Sequence, residues 1–271
     1  MTTYLDRIAA WHRTHSAADD RPLSELAGLA GEVATAPSFR QALLGDRLSV
    51  IAEVKRRSPS KGDLAPILNP ELLVKSYVAG GAAAVSVLTD EEFFNGSVDD
   101  LRSIRTAHPD LAILRKDFTV SVRDVYDAKI MGASAILLIV AILSDDELRT
   151  FSELAHELDM TSLFEIHDAV EIDRAQSCGA QVIGVNQRNL TTFAVDTERA
   201  LELVEKLPDE VVRVAESGIT TIEQCVLLAD AGFDAVLVGE VLVRSEDPAR
   251  EIGMMAGLRS RSTGDGVLNV H

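Results

Sequence analysis

Residues 49–62 read SVIAEVKRRSPSKG. A run of strand-forming residues closes on Glu53 and Lys55, and a basic, Ser/Pro-rich segment follows at once. The run is continuous rather than alternating, as suits a parallel strand buried on both faces. The same grammar returns in AAVSVL (83–88), LAILRK (111–116), AILLIV (135–140), TSLFEI (161–166), QVIGVN (181–186), VVRVAE (211–216) and DAVLVG (234–239). Amphipathic, charged segments separate these runs. In SDDELRTFSELAHEL (144–158), Ser144 is placed to cap a helix whose first turn is acidic. In TTIEQCVLLADAG (220–232), Gly232 is placed just past a helix end. Eight such β/α units, joined by right-handed crossovers, predict an α/β fold: a closed (β/α)8 TIM barrel over residues 46–258. A doubly wound open sheet is the alternative.

Residues 1–45 precede the first strand, and YLDRIAAWHRTH (4–15) and PSFRQALLG (37–45) have helical character. They predict an N-terminal helical extension of the same domain, either a cap on the barrel bottom or a lid over its active face. The polar tail 259–271 is expected to be disordered. The net charge of −17 argues against a nucleic-acid partner, which needs a basic face. No run approaches the length of a membrane span, and the first residues hold no apolar signal core. Cys178 and Cys225 fit neither a disulfide framework nor a metal-ligand spacing and read as reduced core thiols. The expectation is a cytoplasmic protein without nucleic-acid or membrane partners, a monomer with a weak dimer as the alternative.

In a barrel of this kind the active face is built from the C-terminal strand ends. Those ends carry Glu53 and Lys55; Arg115, Lys116 and Asp117; Glu165 and His167; Asn186, Arg188 and Asn189; Glu216, Ser217 and Gly218; and Gly239 and Glu240. Of only six lysines, Lys55 and Lys116 stand at strand ends and Lys61 lies in the first loop. Each feature has a plainer reading taken alone. Glu53-x-Lys55 reads as a structural ion pair, ESG and VGE as tight turns, and His167 as a packing or capping residue. Together they converge on one mouth, and inward-pointing charge there is costly unless paired or used. AESGI and LVGEVL each place a glycine where a helix is expected to begin, and backbone N–H groups there suit a phosphate. The ligand class this predicts is a sugar phosphate or similar small anion.

The motifs IAEVKRRSPSKG (51–62), VSVLTDEEFFNGS (85–97), LRKDF (114–118), LFEIH (163–167), IGVNQRNL (183–190), AESGI (215–219) and LVGEVL (237–242) resemble those of the indole-3-glycerol phosphate synthase family. The resemblance runs from residue 49 to about 247. It implies a carboxy-lyase of tryptophan biosynthesis that works without cofactor or metal. Its substrate would be 1-(2-carboxyphenylamino)-1-deoxyribulose 5-phosphate, whose aromatic ring attacks the ribulose carbonyl before carbon dioxide and water leave. The implied catalytic set is Lys116, Glu165, Lys55, Glu53, Asn186 and Ser217. Lys116 is similar in position to the general acid and Glu165 to the base that takes the ring-nitrogen proton. Lys55 resembles the residue that contacts a substrate anion and shares acid duty, and Glu53 the partner that orients the lysines. Asn186 and Arg188 resemble the groups holding the anthranilate end. Ser58, Ser217, Gly218, Gly239 and the amide of Glu240 resemble the phosphate contacts, and Phe94, Phe118 and Leu137 the apolar slot for the ring.

Nearby cations at the mouth are expected to lower a lysine pKa, and Glu53 to raise it again. Two positions depart from the family pattern: Asn189 stands where an aspartate is usual, and Glu240 where a small hydroxyl residue is. A carboxylate beside a phosphate would repel it, so the Glu240 side chain is expected to point away. Two other classes compete. A sugar-phosphate isomerase would present a Cys/Asp or Glu/His pair at the strand ends, and a non-catalytic binding member would have lost the proton carriers.

Overall fold

The computed structural model describes residues 3–58, 61–188 and 194–259. Eight parallel strands close a barrel in the order β1 (Ser49–Val54), β4 (Ala84–Leu88), β5 (Ala112–Lys116), β6 (Ala135–Ile139), β7 (Thr161–Ile166), β8 (Val182–Asn186), β9 (Val212–Glu216) and β10 (Ala235–Val238), which returns to β1. A two-residue ribbon, β2 (Arg57–Ser58) with β3 (Gly62–Asp63), folds the first loop back on itself. The closed sheet excludes the doubly wound alternative. The eight apolar runs all became barrel strands.

Most of the described helices begin where a polar side chain caps their free N–H groups. Ser144 caps α8 (Asp145–Glu157) in a capping box with Glu147, as its position in the sequence predicts. Gly232 follows α11 (Ile222–Asp230) with φ +100°, the left-handed end that glycine adopts without a Cβ clash. Cys225 is buried inside α11, and Cys178 is buried at the end of α9 (Ala169–Ser177); both are free thiols.

Side chains alternate across each strand, and this period sets the site. Val50 and Ala52 of β1 join the layer under the helices, while Ile51 joins the barrel interior. The same parity puts Leu114 of β5, Leu163 of β7 and Val214 of β9 in the interior. One step further along the interior row stand Glu53, Lys116, Glu165 and Glu216. A strand of the right length therefore delivers a buried floor residue and then a charged residue at the mouth.

The N-terminal extension divides between the two ends of the barrel. α3 (Phe39–Ala42) closes the bottom: Arg40 N donates to Thr161 Oγ1 and Leu43 O accepts from Ser49 Oγ, both at strand starts. Phe39 is fully buried in the barrel-interior cluster. α1 (Tyr4–Ala18) lies at the opposite end, where Arg13 clasps Glu147 and the Ile142 carbonyl beyond β6. α2 (Leu23–Gly31) packs against α7 (Val122–Ile130) between them. Among the described residues no helix is long and apolar enough to cross a membrane. Of the expected tail, all but Arg259 lies outside the described residues, as does Asn189.

Removing a fully buried phenyl ring costs roughly 3–5 kcal/mol. Phe39→Ala is therefore expected to lower the unfolding free energy by that amount in urea titrations while leaving ligand affinity at the mouth within about twofold. Unchanged stability would show that α3 does not seal the bottom.

Candidate active site

Every residue of the implied catalytic and substrate-binding sets lines one cavity of about 180 Å³ at the C-terminal end of the barrel, whose lining includes neither Arg115 nor His167. Glu53, Lys55, Lys116, Glu165 and Asn186 rise from strand ends. Ser58, Arg188, Ser217, Gly218, Gly239 and Glu240 come from the loops beyond them. Phe94, Phe118 and Leu137 form an apolar wall, with the Phe94 and Phe118 ring centroids 6.3 Å apart. α1 adds Tyr4, Leu5 and Ile8, so part of the extension covers the mouth.

At the centre is Lys116. Its Nζ lies 3.0 Å from Glu165 Oε2 and 3.3 Å from Glu216 Oε2. Glu53 pairs with Lys55 beside them. Three carboxylates, 4% (Glu53), 3% (Glu165) and 2% (Glu216) exposed, thus share two ammonium groups. Burying this much charge is tolerable only because it is paired. Space for it is made by glycines. A Cβ on Gly184 would collide with Glu216 Oε1, and one on Gly239 with Glu53 Oε2.

The cluster has one carboxylate more than it has cations, and its pKa shifts follow. Burial by itself would lower the Lys116 pKa, but Glu165, Glu216 and Glu53 outweigh it and raise the pKa well above the usual ammonium range. The expected rise from Glu53 is present, but the expected depression by neighbouring cations is not, because the register brings the carboxylates of Glu165 and Glu216 against Lys116 as well. Burial pushes Glu165 up, yet Lys116, the nearby His167 and the Asn186 amide (Nδ2 to Oε1 3.1 Å) pull it below the usual carboxylate value. Glu216 lacks that amide and faces Glu165. Burial, only partly offset by Lys116, pushes it up to about 7. Its Oε1 is buried with no hydrogen-bond partner among the described residues. Glu216 is the group in this cluster poised to hold a proton near neutral pH.

Glu216 stood in view at a strand end, yet no role was attached to it. Its signal was parity, since it follows Val214 by two on the interior row. The α1 residues gave no such signal, because an amphipathic helix does not reveal which end of the barrel it covers. His167 does not cap the next helix. Asp168 does that, while the His167 ring lies 3.6 Å from Glu165 Oε1 and 3.5 Å from Glu171 Oε2. Arg115 and Asp117 pair at 3.0 Å, with Asp117 also accepting from Thr89 Oγ1 at 2.5 Å.

The two glycine turns differ. Gly239 is the N-cap of the short helix α12 (Glu240–Arg244), as expected. Gly218 is not at a helix start. Ser217 (φ +69°) and Gly218 (φ +73°) form a left-handed turn well before α11, whose cap is Thr221. Successive N–H groups in such a turn make an anion-binding concavity. The Glu240 carboxylate sits between Lys61 Nζ (3.8 Å) and Arg244 (3.9 Å).

The model of the indole-3-glycerol phosphate synthase family matches residues 5–255. An indole-3-glycerol phosphate synthase from Nocardioides sp. is 50% identical over 224 residues, covering 83% of this chain and 84% of that protein. Another, from Arthrobacter sp., is 46% identical over 257 residues, covering 92% and 94%. Among solved structures, 3-hexulose-6-phosphate synthase from Salmonella typhimurium superposes with a TM-score of 0.64 at 13% identity, covering 77% of this chain and 97% of that one. That similarity is one of fold.

A raised Glu216 pKa has a stability signature. Above the unfolded carboxylate value of 4.5 and below about 7, the native state keeps a proton that the unfolded state has lost. This group's stabilisation is thus complete below 4.5 and lost as pH rises through 7. Relative to Glu216→Gln, the wild type is expected to lose up to about 1.4 kcal/mol per pH unit between pH 5 and 7 in urea unfolding. Parallel profiles for the two proteins would contradict the assignment.

Proposed function

The chain belongs to the indole-3-glycerol phosphate synthase family, and we propose that its barrel mouth converts 1-(2-carboxyphenylamino)-1-deoxyribulose 5-phosphate to indole-3-glycerol phosphate, carbon dioxide and water. The observation that carries this reading is the Lys116 ammonium between Glu165 and Glu216, set beside an apolar wall and a pair of glycine turns. A phosphate fits the turns at Ser217, Gly218 and Gly239, with Ser58 and the Glu240 N–H at its edge. The aromatic ring fits against Phe94, Phe118 and Leu137, and its carboxylate faces Lys55 and Arg188. Two anchored ends hold the ring over the carbonyl, which replaces a costly encounter by a prearranged one.

Proton balance then assigns the groups. The ring carbon bearing the carboxylate attacks the ribulose carbonyl, whose oxygen takes a proton from Lys116. The carbon–carbon bond to the carboxylate breaks, carbon dioxide leaves, and its electron pair restores the ring. The new hydroxyl leaves as water after a second protonation, and the five-membered ring loses one proton to a base. Two protons are given and one is taken, so each turnover consumes one. Glu165, kept ionised, is the acceptor. Lys116, recharged by the proton held on Glu216 or relieved by Lys55, is the donor. Glu53 orients Lys55, and Asn186 holds Glu165 in place. General acid–base catalysis of this kind contributes about 10²–10⁴-fold. Phosphate binding and a cytoplasmic location belong to the same reading. Neither cysteine lines the cavity, and of the Glu165–His167 pair only Glu165 does, which tells against both pairs an isomerase would present there.

The direct test is to supply the substrate and follow indole fluorescence. Product formation is expected with the wild type, and its absence would retire the reading. Lys116→Met is expected to abolish turnover with substrate affinity within about tenfold. Glu165→Gln is expected to cut kcat at least 10²-fold. Normal turnover in either variant would remove that residue from its role.

A further inference from the structure

We propose that His12 is a positioning residue for this site: it latches α1 across the barrel mouth and holds the two phenyl rings that form the aromatic slot. The inference rests on the function proposed above, because it concerns how that site receives the aromatic end of its substrate.

His12 projects from α1 onto the loops after β4 and β5. Its Nε2 lies 2.7 Å from Asp90 Oδ2, a carboxylate with no exposed side-chain surface. With an aspartate as acceptor, Nε2–H is the donor. The imidazole also stacks on Phe118, centroids 5.0 Å apart and planes 23° from parallel. Phe118 lines the cavity. The contact reaches the second ring through the other oxygen of the same carboxylate. Asp90 Oδ1 accepts from Phe93 N (2.6 Å) and Phe94 N (3.2 Å), capping the short helix α5 (Glu91–Phe94). One side chain on α1 thus touches one slot ring directly and holds the cap of the helix that bears the other.

The face of α1 that makes these contacts is continuous. Tyr4, Ile8, Trp11 and His12 recur at helical spacing. Trp11 and Tyr4 meet Phe93 edge-on at 5.7 and 6.3 Å, and Tyr4 and Ile8 line the cavity. Arg13, the next residue, fixes the helix on the other side through Glu147. His12 is coupled to both Phe118 and Phe94.

His12, Asp90 and Asp117 lie within 4.8 Å of one another, a spacing that a divalent cation could use. Their hydrogen bonds argue otherwise. Asp117 is committed to Arg115, Thr89 Oγ1 and the Phe118 N–H, and Asp90 to the α5 cap and His12. Arg115 and the imidazole already serve the two carboxylates. The cluster reads as a latch.

Trp11 is the only tryptophan in the chain, so its emission reports whether α1 is docked. In His12→Ala, three changes are expected together: a red shift of Trp11 emission, a rise of about tenfold in KM with kcat within about twofold, and a matching tenfold loss in inhibition by 2-aminobenzoate. Inhibition by inorganic phosphate is expected to stay within about twofold, since the contacts of His12 lie on the aromatic side of the mouth. His12→Gln, which restores a donor toward Asp90, is expected to recover most of the affinity. Asp90→Asn provides the same test by a second route. It keeps a cap acceptor for α5 and removes the carboxylate charge, but its amide can still donate to Nε2 of the other His12 tautomer, so a smaller loss in the same direction as His12→Ala is expected. Unchanged KM and emission in both variants, or equal losses of 2-aminobenzoate and phosphate inhibition, would overturn the latch. A wild type that forms no indole product would instead defeat the function it rests on.

Discussion

The buried ammonium of Lys116, gripped by Glu165 and Glu216, is the constraint around which the mouth of this barrel is organised. A lone charge at that depth would be untenable, and a lone ion pair would be inert. Three carboxylates against two lysines give something different. Burial, reinforced by the surplus negative charge, raises the Glu216 pKa to about 7, where it can take up a proton near neutral pH. The surplus keeps Lys116 charged, while Lys116, His167 and the Asn186 amide keep Glu165 ionised, so a base and an acid stand within hydrogen-bonding reach of each other.

Backbone geometry supplies this arrangement without special devices. Strand parity places Glu53, Lys116, Glu165 and Glu216 one step above a ring of interior aliphatic side chains. The register then sets Asn186 opposite Glu216. Gly184 and Gly239 leave room that any Cβ would fill. The apolar interior below excludes water and strengthens each electrostatic contact above it. Stability and chemistry are therefore parts of one design. The aliphatic floor bears the fold, and the charged row on top of it bears the reaction.

Much of this could be read from residues alone, and the gaps have physical causes. The barrel strands announce themselves because continuous apolar runs have few other uses, and their ends name the mouth. The implied catalytic and substrate-binding residues, from Glu53 to Glu240, do meet at one cavity. What a linear sequence lacks is distance between strands. Lys116 was expected to feel the cations of the neighbouring loops, whereas the fold sets it against carboxylates from β7 and β9. Glu216 was visible at its strand end but had no role until Lys116 was seen beside it. Gly218 was expected at a helix start and instead makes a left-handed turn with Ser217. The extension was expected at one end or the other, and its first and third helices occupy both. An amphipathic stripe records that a helix is covered, not what covers it.

The chain's six lysines make the central interaction measurable in isolation. In protein labelled with side-chain ¹⁵N-lysine, the Lys116 ammonium resonance, assigned through Lys116→Met, can be followed as pH rises past the ordinary lysine value of 10.5. If two carboxylates hold its proton, Lys116 stays charged after the exposed lysines have titrated. Deprotonation of Lys116 before them would show that burial, not pairing, governs the site, and the acid–base assignment built on it would fall.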